Sequence, residues 1–252
     1  MDRPVLWQFT YSHFNEKARW ALDFKRVPHV RRSLLPGPHA VKIRRMTGQS
    51  AVPVLELDGS VIYDSTRIIA ALEEAYPDPP LYPSDDADRR RALELEDFFD
   101  HELGPHIRRL AFHLLLPHAN TVVAMFSQES GRGSRMAYRA AFPMIRVVMQ
   151  KAMRIDDAGA DLGRAKTVAA LDRVARELGP SGYLVGDRFT VADLTAAALF
   201  SPLVAPPEFP YPPPSMPESV LETRRSLSGH PAFQWVLETY RRHRGRSAAV
   251  PA

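Results

Sequence analysis

One absence and three short segments bound the chemistry available to this sequence of 252 residues. The chain holds no cysteine. That removes Cys nucleophiles, disulfide scaffolds, thiolate metal sites and CxxC redox chemistry together. In Ala51-Val52-Pro53-Val54-Leu55 a proline opens an apolar run and withholds a donor from any sheet ladder. Two arrangements accommodate it. One is an edge strand with a trans bond; the other is a cis Val52–Pro53 bond, which turns the Val52 amide and carbonyl outward to pair with an extended ligand backbone. Asp64-Ser65-Thr66 reads as a helix start, because Asp and Ser are good N-caps. The same free amides, with the Ser65 hydroxyl, suit a ligand carboxylate, and Asp64 suits the ammonium of the same amino-acid group. The third segment, Gly186-Asp-Arg-Phe-Thr190-Val-Ala-Asp193, has capping-box spacing with Asp in the place of Glu or Gln. It is a folding signal and carries no chemistry.

Other constellations fail on spacing. His101 and His106 are five apart with Pro105 between them, and His113 and His118 repeat that spacing across Pro117, so no zinc helix is expected. Gly131-Arg-Gly-Ser134 lacks the Lys and the preceding strand of a phosphate loop. The charge is mixed, 33 basic residues against 29 acidic for a net +4, which is not a nucleic-acid footprint. No run approaches the roughly 18 to 20 apolar residues of a membrane span, and the first residues lack an apolar signal core. These features predict a soluble, cytoplasmic protein with no metal, no nucleic-acid partner and no membrane anchor.

The elements that must position these segments follow from hydrophobic period. Val5 to Phe9 predicts a buried strand. Phe14, Ala18, Ala21 and Leu22 predict a helix to about Lys25. Val27 to Leu35 is strand-like at Val30 and Leu34, and His39 to Met46 is a basic helical stretch. Val52 to Leu57 and Val61 to Tyr63 form two strands around the Asp58-Gly59 turn, and Ser65 to Tyr76 is a helix. The order is β-α-β-α-β-β-α. Pro77-Asp-Pro-Pro80 breaks the pattern, which sets one domain at 1–80 and an all-helical domain at 86–252. In the second, helical period covers 86–116, 134–156, 161–178, Val191 to Leu203 and His230 to His243. Residues 118–134 are an insertion with a flexible loop at 127–134. Residues 202–217 hold eight prolines and predict an extended connector, either a stiff surface loop or a recognition motif for a proline-binding partner.

Taken together and in this order, the Val-Pro strand start, the Asp-Ser helix start and the late Gly-Asp-x-Phe-Thr-x-Ala-Asp segment resemble the cytosolic glutathione transferase superfamily over nearly the whole chain. The resemblance implies an α/β thioredoxin-like N-terminal domain and an all-α C-terminal helical bundle domain. It implies that Val52, before Pro53, pairs with the cysteinyl backbone of glutathione, and that Asp64 and Ser65 bind the γ-glutamyl end. Many members carry a Lys near the glycyl carboxylate; here that position is Ala51, so the contact falls to Gln49 or to Lys42, Arg44 or Arg45. The family places a Tyr, Ser or Cys after the first strand. With Cys absent, the omega-like reductase chemistry is excluded, and the hydroxyl that stabilises the glutathione thiolate is Ser12 or Tyr11. A free thiol has a pKa of about 8.5, and a helix N-terminus with a hydroxyl donor lowers it. Ser12 is preferred, because it opens the first helix and alternation is expected to turn Tyr11 the other way. His13 is expected to face solvent or to sit near the thiolate. Phe112, Leu115 and Leu116 are expected to wall a second-substrate pocket. The methionines and Phe142 of 136–153 are expected in the core, on a dimer surface or in that pocket. The implied activity is transfer of the glutathione thiolate to a hydrophobic electrophile, a detoxification reaction, by a homodimer. Alternatives are a non-catalytic binding or scaffold protein and a glutathione-dependent peroxidase or isomerase on the same site.

Overall fold

A computed structural model describes residues 3–251. The chain first builds β1 (Val5–Gln8), α1 (His13–Phe24), β2 (Val30–Ser33), α2 (His39–Thr47), β3 (Val54–Leu57), β4 (Ser60–Tyr63) and α3 (Ser65–Ala75). The four strands form one mixed sheet in the order β2-β1-β3-β4. β1 runs parallel to β2, and the β1–β3 and β3–β4 pairs are antiparallel. The β1-α1-β2 crossover accounts for the parallel pair, and Asp58-Gly59, both at positive φ, closes the β3–β4 hairpin. This is a thioredoxin-like layer of sheet and helices.

The remaining elements are helices: α4 (Asp86–Phe98), α5 (Gly104–Leu115), α6 (Ala119–Phe126), α7 (Arg132–Met153), α8 (Asp157–Glu177), α9 (Val191–Val204), α10 (Glu218–Ser228) and α11 (Pro231–His243). A π-helical turn, Phe99–Leu103, joins α4 to α5. Pro105 has no amide to give, so the hydrogen-bond ladder slips by one residue there before α5 resumes. Every residue of α9 except Pro202 is buried. The capping box expected at its start is present: the Thr190 amide and hydroxyl both donate to Asp193 Oδ2 at 2.9 Å, and the Leu184 amide donates to Oδ1 at 2.8 Å.

The core is continuous between the two halves. Leu6, Trp20, Leu22 and Ile68 from the sheet layer pack in one cluster with Phe99, Phe200 and Tyr240 from the helices. Trp20 stacks on Phe189 and lies 4.4 Å from the Tyr240 ring. A second, smaller cluster gathers Leu115, Leu116, Val122, Phe126, Tyr138 and Phe142.

Two expectations are corrected, one helix is added, and the alternatives for α7 are divided between its residues. Residues 119–126, taken as part of an insertion, form α6, and only 127–131 separate it from α7. Pro202, which fell both at the end of the helical run Val191 to Leu203 and at the start of the connector, lies inside α9, whose burial outweighs one lost ladder bond, so the connector begins later than 202. α10 carries too few apolar positions to mark it by period, and sequence reasoning passed over it. On α7, Phe142 takes the expected core place and Met149 and Met153 pack beside it, whereas Met136 and Met144 are exposed and stay out of the core. Among the described residues no helix is long and apolar enough to cross a membrane.

Candidate active site

The loop between β1 and α1 is held by one buried side chain. Arg19 sits on α1 with no solvent exposure. Its guanidinium donates to the carbonyls of Phe9 (2.9 Å), Thr10 (3.2 Å) and Ser12 (3.4 Å), to Gln8 Oε1 (2.8 Å) and to Glu16 (2.9 Å). Thr10 adds a bond from its hydroxyl to the Met125 carbonyl on α6. Five donors in a rigid fork suit this task, and Lys could not make the same set.

At the end of that loop Ser12 caps α1. Its Oγ accepts from the Asn15 amide at 3.4 Å, and its own hydrogen has no acceptor among the described residues. Tyr11 is in the opposite state. Its hydroxyl accepts from Gln128 Nε2 at 3.2 Å and offers its single hydrogen to the carbonyls of Tyr211 (3.1 Å) and Pro212 (2.5 Å). Burial pushes its pKa up to about 12, against a small opposing effect of Gln128. His13 is buried, and its Nε2 meets the Gly104 carbonyl at 2.8 Å. Burial, aided by the charge of Arg108, pulls His13 down to about 3. It is a neutral donor, not the solvent-facing residue the sequence suggested.

Tyr11, Ser12 and His13 line one cavity of about 500 Å³. Its other walls are Arg108, Phe112 and Leu115 of α5, Met125 and Phe126 of α6, Pro202 at the end of α9, and Arg224 of α10. Phe209, Tyr211 and Pro212 of the proline-rich connector close one side. The connector is fastened to the β1–α1 region: Gln8 Nε2 donates to the Tyr211 hydroxyl at 2.6 Å, and Arg19 lies over the Tyr211 ring at 5.1 Å. Two expectations change here. Tyr11 and Ser12 face the same cavity, because residues 9–12 are a loop and strand alternation does not govern them. Leu116 is buried in the second core cluster and is not among the cavity-lining residues, whereas Phe112 and Leu115 are.

The other candidate residues lie off this cavity, on the sheet. Val52–Pro53 is cis, and β3 begins immediately after it at Val54. Asp64 holds φ +78° and ψ 128°, a conformation non-glycine residues seldom adopt. Its carboxylate accepts from the Thr66 amide at 3.0 Å and the Arg67 amide at 3.3 Å. Two of the amides expected to be free for a ligand are therefore satisfied within the chain, which leaves the Ser65 amide and hydroxyl. Ser65 is buried and Asp64 exposed. The helix start is braced from below by the buried Lys17, whose ammonium reaches Thr66 Oγ1 (2.9 Å), Glu96 (2.8 Å) and Asp100 (2.5 Å). Gln49 turns back on its own loop, donating to Thr47 Oγ1 at 3.0 Å and to the Ala51 carbonyl at 3.1 Å. Lys42 sits 4.0 Å from the Trp7 ring centroid, and Arg44 and Arg45 are exposed. Among the described residues no group of three or more His, Asp or Glu is placed to hold a metal ion.

The sequence pattern of the glutathione S-transferase N-terminal domain matches residues 6–80, and that of the glutathione S-transferase C-terminal domain matches residues 156–233. The chain belongs to the glutathione S-transferase family. Solved structures agree in fold. A glutathione S-transferase from Rhodospirillum rubrum F11 superposes with a TM-score of 0.59 at 22% identity, over 93% of this chain and 91% of that one. The theta class enzyme from Xanthomonas axonopodis pv. citri, solved with glutathione bound, gives 0.57 at 20% identity over 94% and 98%. In sequence the chain is also similar to a probable maleylacetoacetate isomerase of Caenorhabditis elegans, 35% identical over 93 residues, or 36% of this chain and 44% of the relative. The maleylacetoacetate isomerase of Dictyostelium discoideum is 25% identical over 113 residues, 41% of this chain and 50% of that one. The chain thus spans about half the length of the curated relatives it matches.

Sequence reasoning missed Arg19, Arg108 and Arg224. Each lies on an amphipathic helix among many other basic residues, and nothing in the spacing separates a loop-holding or cavity-facing Arg from a solvated one.

Proposed function

We propose that this protein is a glutathione transferase that binds glutathione along the sheet and activates its thiol at Ser12. In this reading the Val52 backbone pairs with the cysteinyl unit beside Pro53, and the γ-glutamyl end sits at Asp64 and Ser65. Gln49, folded over its loop, is the candidate for the glycyl end, with Lys42, Arg44 and Arg45 of the preceding helix as the alternatives. The observation that carries the proposal is the state of the two hydroxyls. Ser12 opens α1 with an uncommitted hydrogen, while the hydrogen of Tyr11 is already given to backbone carbonyls. A hydroxyl donor beside a helix N-terminus favours the thiolate over the thiol, which lowers the thiol pKa. The thiolate then adds to an electrophile held against Phe112 and Leu115. Family resemblance makes the working unit a homodimer in the cytoplasm and the reaction one of detoxification.

A second reading, a glutathione-dependent isomerase on the same site, is favoured by the names of the curated relatives. There the thiolate adds to a double bond and leaves again, so glutathione is not consumed. Following glutathione consumption against substrate loss separates the two: one-to-one consumption marks conjugation, and none marks isomerisation.

Binding is tested by calorimetric titration with glutathione. Ser65→Ala removes a hydrogen bond to a charged group, worth about 1.5–3 kcal/mol, so affinity falls by roughly ten- to a hundred-fold. An unchanged affinity in that variant removes Ser65 from the site.

A further inference from the structure

Buried cations in this chain are paired. Lys17 meets Glu96 and Asp100, Arg19 meets Glu16, Lys25 meets Glu73, and Arg244 meets Glu16 and Asp23. Two half-buried arginines on the cavity wall have no such partner among the described residues. Arg108 has an Nε without a hydrogen-bond partner, and among the described residues no carboxylate pairs with it. Burial first, and then the charge of Arg109, hold its pKa below the usual arginine range. Arg224 spends Nε on the Leu203 carbonyl at 3.0 Å, and burial shifts it the same way. No Asp or Glu among the described residues lines the cavity, and His13 is neutral there.

Two guanidinium groups held in an apolar wall without counter-charge cost stability. The two come from different helices, α5 and α10, that pack against each other, so they border one space. Around them the wall is apolar and aromatic: Phe112, Leu115, Phe126 and Phe209. We infer that this cavity takes a carboxylate-bearing ligand with an apolar, aromatic-sized body, its carboxylate held by Arg108 and Arg224. The planar fork of Arg matches a carboxylate with two parallel hydrogen bonds. Val52, Asp64 and Ser65 do not line the cavity, so the carboxylates of a glutathione held there would lie elsewhere. Calling the ligand a second substrate rests on the proposed function; the carboxylate subsite itself does not.

The test is calorimetric titration of the full chain with biphenyl-4-carboxylate and with its neutral amide, with no glutathione present. The carboxylate is expected to bind the wild type at least about ten-fold tighter than the amide. Arg108→Met and Arg224→Met are each expected to weaken carboxylate binding by about ten- to a hundred-fold and to leave the amide within about two-fold. Glutathione affinity is expected to stay the same in both variants. Equal affinity of acid and amide in the wild type overturns the inference without any variant having to fold. So does unchanged carboxylate affinity in both variants, or loss of glutathione binding in place of the arylcarboxylate. A wild type that prefers the carboxylate yet fails to bind glutathione supports this subsite and removes the proposed function.

Discussion

Tyr11 and Ser12 are chain neighbours that reach the same cavity with hydroxyls in opposite states. The difference comes from what surrounds each oxygen. Two connector carbonyls take the Tyr11 hydrogen, while Ser12 only accepts, from the Asn15 amide. Both residues stood out in the sequence because they follow the first strand. What the sequence could not show was the acceptor for Tyr11, because the connector carbonyls lie 200 and 201 residues further along the chain. His13 gives a prediction at the same scale. Its folded pKa of about 3 lies below the ordinary 6.5, so the unfolded chain binds the extra proton more readily. The neutral form's contribution to stability is complete above pH 6.5 and is lost as pH falls from there toward 3. His13→Gln cannot charge. Denaturant midpoints measured from pH 7.5 to 4 are therefore expected to fall less steeply for the variant than for the wild type. Parallel curves would show that His13 does not titrate as its burial requires.

At the scale of elements, β1 and β3 were legible because they are short, apolar and bounded by turn residues, and α1 and α3 because they repeat a buried face, whereas β2 (Val-Arg-Arg-Ser) and α2, which buries only Ile43, gave weaker cues. The helical half was legible where period was strong. α6 and α10 escaped: the first is eight residues inside a polar stretch, and the second buries only Val220 and Thr223. Pro202 fell in both the helical run and the connector, because a local rule about proline met a helix buried on all sides. Helix packing yields a sharper prediction. Gly163 on α8 faces α5 so closely that a Cβ there would lie 2.7 Å from the His106 carbonyl and 3.2 Å from Leu110 Cβ. Ala in place of Gly inside a helix ordinarily stabilises by up to about 1 kcal/mol. At Gly163 the sign reverses: overpacking against backbone costs about 1–3 kcal/mol. Gly133, in the first turn of α7, has nothing within 4 Å of such a Cβ. Urea unfolding should therefore place Gly163→Ala below the wild type and Gly133→Ala at or slightly above it. A stabilised Gly163→Ala would contradict the packing described for α5 and α8.

Across the whole molecule, three distant stretches build one cavity: the β1–α1 loop, α5 with α6, and the connector with α10. Arg19 and Gln8 bind the first to the last, and Thr10 binds the first to α6. The connector's composition announced extended chain, and its prolines keep that chain stiff. That it forms a wall of the site follows only from tertiary contacts. The proposed mechanism turns on Ser12 stabilising the thiolate of glutathione bound along the sheet. The most direct test is the ultraviolet thiolate absorbance of bound glutathione against pH, for the wild type, Ser12→Ala and Tyr11→Phe. Losing the Ser12 cap also costs about 0.5–2 kcal/mol of stability, but that loss alone leaves the titration where it is. A thiol pKa below the free value of about 8.5 is expected in the wild type, a rise toward it in Ser12→Ala, and no change in Tyr11→Phe. A titration that moves with Tyr11→Phe and stays fixed in Ser12→Ala would contradict the mechanism.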